Sequence, residues 1–161
     1  ILGDPSQGFK QFLKTLAGGR ITIGALGLGT AQGAFLKALD YSQEREAFGS
    51  AINKFQGVSF KLADMATQIE AARHLVYHAA WKKDQNLVFA KEASMAKLFS
   101  SETAMNVTTE AIQVLGGFGY IKEYDVERFF RDAKILEIGE GTSEVQRMII
   151  SRELIKSVQN I

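Results

Sequence analysis

The sequence predicts an all-α fold, an antiparallel up-and-down four-helix bundle, and three observations carry the prediction. Apolar residues recur three and four positions apart along nearly the whole chain, which is the period of one helical face. A single proline occurs in 161 residues, so little interrupts long elements. No stretch shows the apolar/polar alternation of a half-buried strand. Apolar residues at 46% and charged residues at 23% are a globular balance, and the length allows one sizeable core. Eleven phenylalanines suggest that this core is rich in aromatic rings.

Each element can be justified in turn. Phe9, Phe12, Leu13 and Leu16 open a first helix that continues through Ile23, Leu26, Leu28, Phe35 and Leu39 to about Tyr41. Ser6, after Pro5, is a helix-start signal, and Gly18-Gly19 is a weak point where a kink is expected. A second helix runs from about Gln56 through Val58, Leu62, Met65, Ile69 and Val76, and fades at Asp84-Gln85-Asn86. A third spans about Phe89 to Leu115 and stops at Gly116-Gly117-Phe118-Gly119, since glycine readily takes the positive φ of helix C-termini. A short amphipathic piece, Val126 to Arg131, precedes a loop around Gly139 and Gly141. The last helix runs from about Ser143 to Val158. Short connections between long helices imply antiparallel neighbours.

Composition and spacing exclude several function classes. Nineteen basic against eighteen acidic side chains leave a charge of +1, which argues against a nucleic-acid surface. The absence of cysteine removes disulfides, thiolate metal sites and a cysteine nucleophile. Ile21 to Leu36 is uncharged and contains Gly29-x-x-x-Gly33, but a membrane span needs about 20 mostly apolar residues. Arg20 and Lys37 bracket a shorter run, which reads as a buried helix whose glycines admit a neighbouring backbone. Gly27-Leu-Gly29 begins a dinucleotide fingerprint, yet Gln32 stands at its sixth position and no strand precedes it. His74 and His78 share a helical face without a third ligand, so no metal is expected there. No local signature of a serine–histidine–acid triad is present.

Three glycine-marked junctions offer chemistry. Arg45-x-x-Phe48-Gly49, followed by Phe55-Gln56, combines a cation for a phosphate, a ring for a purine and an amide for a base edge. Taken alone, it reads more readily as a helix C-terminus with a basic residue and a glycine stop. Gln113-x-x-Gly116-Gly117 offers bare backbone to a ligand, and is also a good C-cap. In Gly139-Glu140-Gly141-Thr142-Ser143-Glu144-Val145-Gln146, Ser143 with Gln146 fits a capping box, and the helix start can hold an anion. Capping does not account for a carboxylate between two glycines. In an apolar, partly dry cleft, Glu140 would suit proton abstraction.

Taken together, these motifs resemble the C-terminal helical domain of the acyl-CoA dehydrogenases over essentially the whole chain. The carrying residues are Gly8-Phe9, Gly19-Arg20, Arg45-x-x-Phe48-Gly49, Gln56, Phe60-x-Leu62-Ala63-Asp64-Met65, Gln113-x-x-Gly116-Gly117-x-Gly119, Arg131-Asp132-Ala133 and Glu140-Gly141-Thr142-Ser143-Glu144-x-Gln146-Arg147. The resemblance implies a chain of residues 1–161 that is one domain of a longer enzyme. The family's N-terminal helical and middle β-domains have no counterpart in it, and Ile1-Leu2-Gly3 resembles the passage out of the β-domain.

The implied reaction is α,β-dehydrogenation of an acyl-CoA thioester with FAD as hydride acceptor. Glu140 falls on the family's catalytic base, and its backbone N–H on a group that polarises the thioester carbonyl. Arg45, Phe48 and Gln56 fall on contacts to the FAD pyrophosphate and adenine of a neighbouring subunit. Gln113, Gly116 and Gly117 fall on a second cross-subunit contact, and Thr142, Ser143 and Glu144 on a third. Arg20 and Gly141 fall on substrate-side positions. Ala17 replaces a frequent aspartate three residues before that arginine, and Gly139 a frequent tyrosine before the base. Members that carry the base on the first helix have it where this chain has Gly19, and no acid occurs from Pro5 to Leu39. The resemblance therefore implies the short- or medium-chain, straight-chain type. It also implies a homotetramer, an electron-transferring flavoprotein as acceptor, and a bacterial cytoplasmic or mitochondrial-matrix setting. An acyl-CoA oxidase, or a non-catalytic self-associating helical module, is the alternative. The chain alone is expected to be inactive.

Overall fold

Small residues at helical spacing let the long helices approach closely, and that closeness shapes the architecture. The computed structural model describes residues 3–159, with side chains as far as residue 156; Ile1 and Leu2 of the opening motif lie outside the described residues. Asp4 accepts a hydrogen bond from the Ser6 amide at 2.8 Å and opens a 3-10 turn, Pro5–Gln7. Helix α1 (Gly8–Glu44) follows. It is continuous through Gly18-Gly19, the expected weak point, because glycine weakens a helix by only about 1 kcal/mol and, unlike proline, removes no hydrogen bond.

Helices α2 (Gln56–Asp84) and α3 (Ala90–Leu115) match the bounds read from the apolar period. After a short α4 (Gly117–Tyr120), α5 spans Val126–Ile138, about two turns longer than its sequence pattern suggested. Its buried Ala133 and Leu136 extend the inward face past Arg131. Helix α6 (Ser143–Gln159) completes the all-α bundle. Helix α3 is central, with α1, α2, α5 and α6 all packed on it.

The core is not the aromatic one expected. Its buried apolar residues are alanine, valine, leucine, isoleucine and methionine, and no phenylalanine is among them. A Cβ on Gly27 would fall 2.9 Å from the Ser100 carbonyl oxygen, and one on Gly24 only 3.3 Å from Ala96. At such a seam there is no room for rings. Phe9, Phe12, Phe48 and Phe60 are instead exposed, while Phe35, Phe89 and Phe129 are half-buried against the core. Gly29 faces open space, so the close approach belongs to Gly24 and Gly27 rather than to the Gly29 end of the small-residue spacing. One face of Ile21–Leu36 is buried, but Leu26 and Leu36 are exposed.

A two-stranded hairpin, β1 (Glu46–Ala47) with β2 (Ser50–Ala51), follows α1. Strands of two residues are too short to show alternation in a sequence. The turn between them places Phe48 at φ 53° and Gly49 at φ 80°, the paired positive angles that tight hairpins favour. Gly49 is therefore a hairpin residue rather than a helix stop; Arg45 caps α1, its amide donating to the Tyr41 carbonyl at 2.9 Å.

Candidate active site

The α5–α6 turn carries the carboxylate. The Gly139 amide closes α5 on the Ile135 carbonyl at 2.8 Å. Glu140 (φ 57°) and Gly141 (φ 95°) then take two successive left-handed conformations, which turn their carbonyls inward. Gln146, wholly buried, donates through Nε2 to the Gly141 oxygen at 2.8 Å and to the Glu140 oxygen at 3.2 Å. From α3, the buried Lys97 ammonium donates to the same Gly141 oxygen at 2.8 Å.

The cap at this helix differs from the expected box. Thr142 Oγ1 accepts from the Val145 amide at 3.4 Å, and the Thr142 carbonyl accepts from the Gln146 amide. Ser143 Oγ is buried without a hydrogen-bond partner, and the Gln146 side chain is committed to the turn. The Glu144 carboxyl is held below the ordinary range by its own backbone amide and the Thr142 hydroxyl.

The Glu140 side chain lies over α1 at Gly19. A Cβ there would stand 2.9 Å from Glu140 Oε2, so the missing side chain makes room for the carboxylate. Neighbouring Arg20 is buried, with no partner for its Nε. Burial lowers the Arg20 pKa, the Glu140 charge opposes that, and the Arg152 charge adds to it. The turn thus has two buried cations beneath or beside it. Glu140 itself is exposed, so these helices alone do not form the dry cleft expected around it.

The other named residues gather at the far end of α1. Arg45, Gly116 and Gly117 line one cleft of about 510 Å³ with Tyr41, Phe118 and Ile121. The Arg45 guanidinium carbon stands 5.9 Å from the Phe118 ring centre. Nothing lies within 4 Å of where a Cβ would stand on Gly116 or Gly117, so the backbone is open to an approaching group. Phe48 is 98% exposed at the hairpin tip, its ring edge-on to Phe55 at 6.2 Å. Gln56 opens α2 and is exposed. Gln113 is not in the Arg45 cleft but in an adjoining one of about 780 Å³, with Tyr120, Phe130 and Arg131. Arg20 and Arg45 stand 25 residues apart on the α1 axis, roughly 37 Å. The structure therefore brings Glu140, Gly141 and Thr142–Glu144 together near Arg20, and sets the Arg45 group well away.

Two residues were missed in the sequence, Lys97 and Gln146. Lys97 did leave a signal: it stands at helical spacing with Ala93, Ala96, Ser100, Ser101 and Ala104, all buried. His74 pairs with Glu70 at 3.4 Å and His78 stacks on Trp81. No group of three or more metal-ligating side chains occurs among the described residues. Among the described residues, no helix is long and apolar enough to cross a membrane.

Fold and site together define a helical bundle domain that presents a glutamate from the turn before its last helix. The chain belongs to the acyl-CoA dehydrogenase family: residues 6–155 match the family's C-terminal domain. It is 58% identical over 156 residues to the Bacillus subtilis protein named "Probable acyl-CoA dehydrogenase YngJ", covering 97% of this chain and 41% of that one. It is 49% identical to the mitochondrial short-chain specific acyl-CoA dehydrogenase of Bos taurus, covering 99% of this chain and 39% of the relative. The butyryl-CoA dehydrogenase structure from Megasphaera elsdenii superposes with a TM-score of 0.94 at 52% identity, covering 95% of this chain and 40% of that one. The chain thus spans about two fifths of the length of these relatives.

Proposed function

We propose that this chain is the C-terminal bundle of an FAD-dependent acyl-CoA dehydrogenase acting on short or medium straight-chain thioesters. Glu140 is its base. The observation that carries this reading is the α5–α6 turn: its main chain is held from within while the carboxylate projects over Gly19. A base that removes the weakly acidic Cα proton needs this kind of fixed aim. The Glu140 carboxylate takes that proton as its own O–H. The Glu140 backbone N–H polarises the thioester carbonyl, where developing negative charge is best met by a prepositioned donor. Arg20 and Gly141 lie on the substrate side.

The residues at the far end of α1 fit the adenine side of FAD. They supply a cation, an uncovered ring and open glycine backbone, the types that a pyrophosphate and a purine require. Arg45 would hold the pyrophosphate and Phe48 and Gln56 the adenine. Gln113, Gly116 and Gly117 would add a second contact, and Thr142, Ser143 and Glu144 a third. When bound, FAD would supply the acceptor for the hydride that leaves Cβ. Because Arg45 stands roughly 37 Å from Arg20 along α1, the Arg45 group would serve the site of a neighbouring subunit. That favours a homo-oligomer, a tetramer in this family, and exposed Phe9, Phe12, Met148 and Ile155 supply apolar surface for it. An electron-transferring flavoprotein is the proposed acceptor, in the bacterial cytoplasm or the mitochondrial matrix.

The test is Glu140→Gln in the full-length flavoenzyme, assayed with acyl-CoA thioesters of increasing chain length. Loss of dehydrogenation with flavin retained is expected, and the wild-type profile should peak at short or medium chains. Retained turnover sinks the base assignment. The 161-residue chain alone should show none.

A further inference from the structure

We propose that Lys97 is a positioning residue for the Glu140 base, fixing the Glu140–Gly141 turn jointly with Gln146. The inference rests on the reading of Glu140 as the base. Lys97 is wholly buried on the central helix, where taking an ammonium out of water is strongly unfavourable. Its neighbours at helical spacing are alanines and serines, so an apolar side chain would serve packing as well. What lysine adds is reach and a charged donor. Its Nζ meets the Gly141 oxygen at 2.8 Å, and Gln146 Nε2 meets that oxygen and the Glu140 oxygen.

The turn needs such a grip. Glu140 is a non-glycine residue in the left-handed region, a conformation that side chains disfavour and that relaxes unless its surroundings hold it. The carboxylate is exposed, so its aim comes from the backbone beneath it. Lys97 from α3 and Gln146 from α6 tie that backbone to two long helices. The Lys97 hydrogen bond goes to a main-chain carbonyl instead of the carboxylate. The contact therefore fixes the backbone from which the carboxylate projects, without forming an ion pair with the carboxylate.

The experiment uses the full-length flavoenzyme with Lys97→Met, a neutral side chain of similar length. We expect kcat to fall by about 10- to 100-fold, the loss that a reacting group displaced by up to an ångström brings. KM should stay within about twofold, and flavin content should be unchanged. The isotope effect with α-deuterated acyl-CoA should rise above the wild-type value, because proton removal becomes more rate-limiting; a merely structural role would leave it unmoved. Wild-type kcat and isotope effect per bound flavin overturn the inference. If Lys97→Met does not fold, Gln146→Leu takes its place with the same expected signature. Failure of both to fold assigns the pair to stability alone and also overturns it. Glu140→Gln run alongside separates the two readings: turnover surviving there defeats the base itself. A dead Glu140→Gln with an unaffected Lys97→Met defeats only the positioning role.

Discussion

Gly19 and Glu140 meet across the gap between α1 and the α5–α6 turn, and a single methyl group should pull stability and activity apart there. An alanine Cβ at position 19 falls 2.9 Å from Glu140 Oε2 and 3.2 Å from its Cδ. Ordinary contact begins near 3.4 Å, so the carboxylate must retreat by about half an ångström. It is the exposed end of a flexible side chain, so retreat costs little. The helix meanwhile gains about 1 kcal/mol from replacing glycine. Gly19→Ala should therefore raise the thermal midpoint while lowering kcat about tenfold, since displacing a reacting group by a full ångström can cost about a hundredfold. Gly18→Ala is the control: its Cβ meets only Lys83 Nζ, at 3.4 Å, and Cε beyond it. It should stabilise equally and leave turnover alone. Melting curves and initial rates with a short-chain acyl-CoA on the full-length flavoenzyme measure both. Undiminished kcat in Gly19→Ala, or equal losses in the two variants, would refute the placement of the base over Gly19.

Two further predictions concern the scaffold. Gly27→Ala pushes a Cβ to 2.9 Å from the Ser100 carbonyl, a backbone atom that cannot swing away, so overpacking of about 1–3 kcal/mol should outweigh the helical gain. Gly29→Ala has nothing within 4 Å and should stabilise by up to about 1 kcal/mol; denaturation midpoints that rank the two the other way contradict the α1–α3 seam. The second concerns acid. Burial pushes the Glu92 carboxyl up, but hydrogen bonds from Lys82 and its own backbone amide, with the charges of Lys82 and Lys91, bring it below the ordinary value of 4.5. Its contribution is whole above that value and is lost as pH falls through the lowered folded pKa. The Lys82–Glu92 pair at 2.7 Å joins α2 to α3, and Lys82→Met should cost about 1 kcal/mol at neutral pH and flatten the decline in stability below pH 4.5. An unchanged acid profile in urea titrations refutes it.

The helix bounds of α2 and α3 were legible because an apolar period, ended by the polar turn Asp84-Gln85-Asn86 in one and by Gly116 in the other, is a local signal. Val126–Arg131 was cut short because the exposed Ile135 and Ile138 blur the apolar period that Ala133 and Leu136 continue on the inward face. The phenylalanines misled for a different reason. Composition counts rings but does not say that Gly24 and Gly27 bring α1 so close to α3 that rings have no place in that seam. The site divided in the same way. Glu140 between two glycines was visible as a conformational oddity. The donors to its turn come from Lys97, more than forty positions earlier, and from Gln146, whose position suggested a cap.

A base carried on a helix inherits the direction of that helix, whereas a base carried on a turn must draw its rigidity from elsewhere. In this chain the sources are visible: two donors on two helices hold the carbonyls of Glu140 and Gly141, and Gly19 leaves space for the carboxylate. What these helices do not supply is dryness, for Glu140 is exposed while the buried groups Lys97 and Arg20 lie behind it. Under the proposed function, the two needs of a thioester-deprotonating base, aim and desolvation, are thus met by different parts. Aim is internal to the bundle and should survive in any preparation in which α3 and α6 remain packed. Desolvation requires a surface laid over Glu140, which under the proposed function is the acyl-CoA and the rest of the enzyme. The bundle can therefore hold a correctly aimed glutamate and still lack the low-dielectric surroundings that make it an effective base.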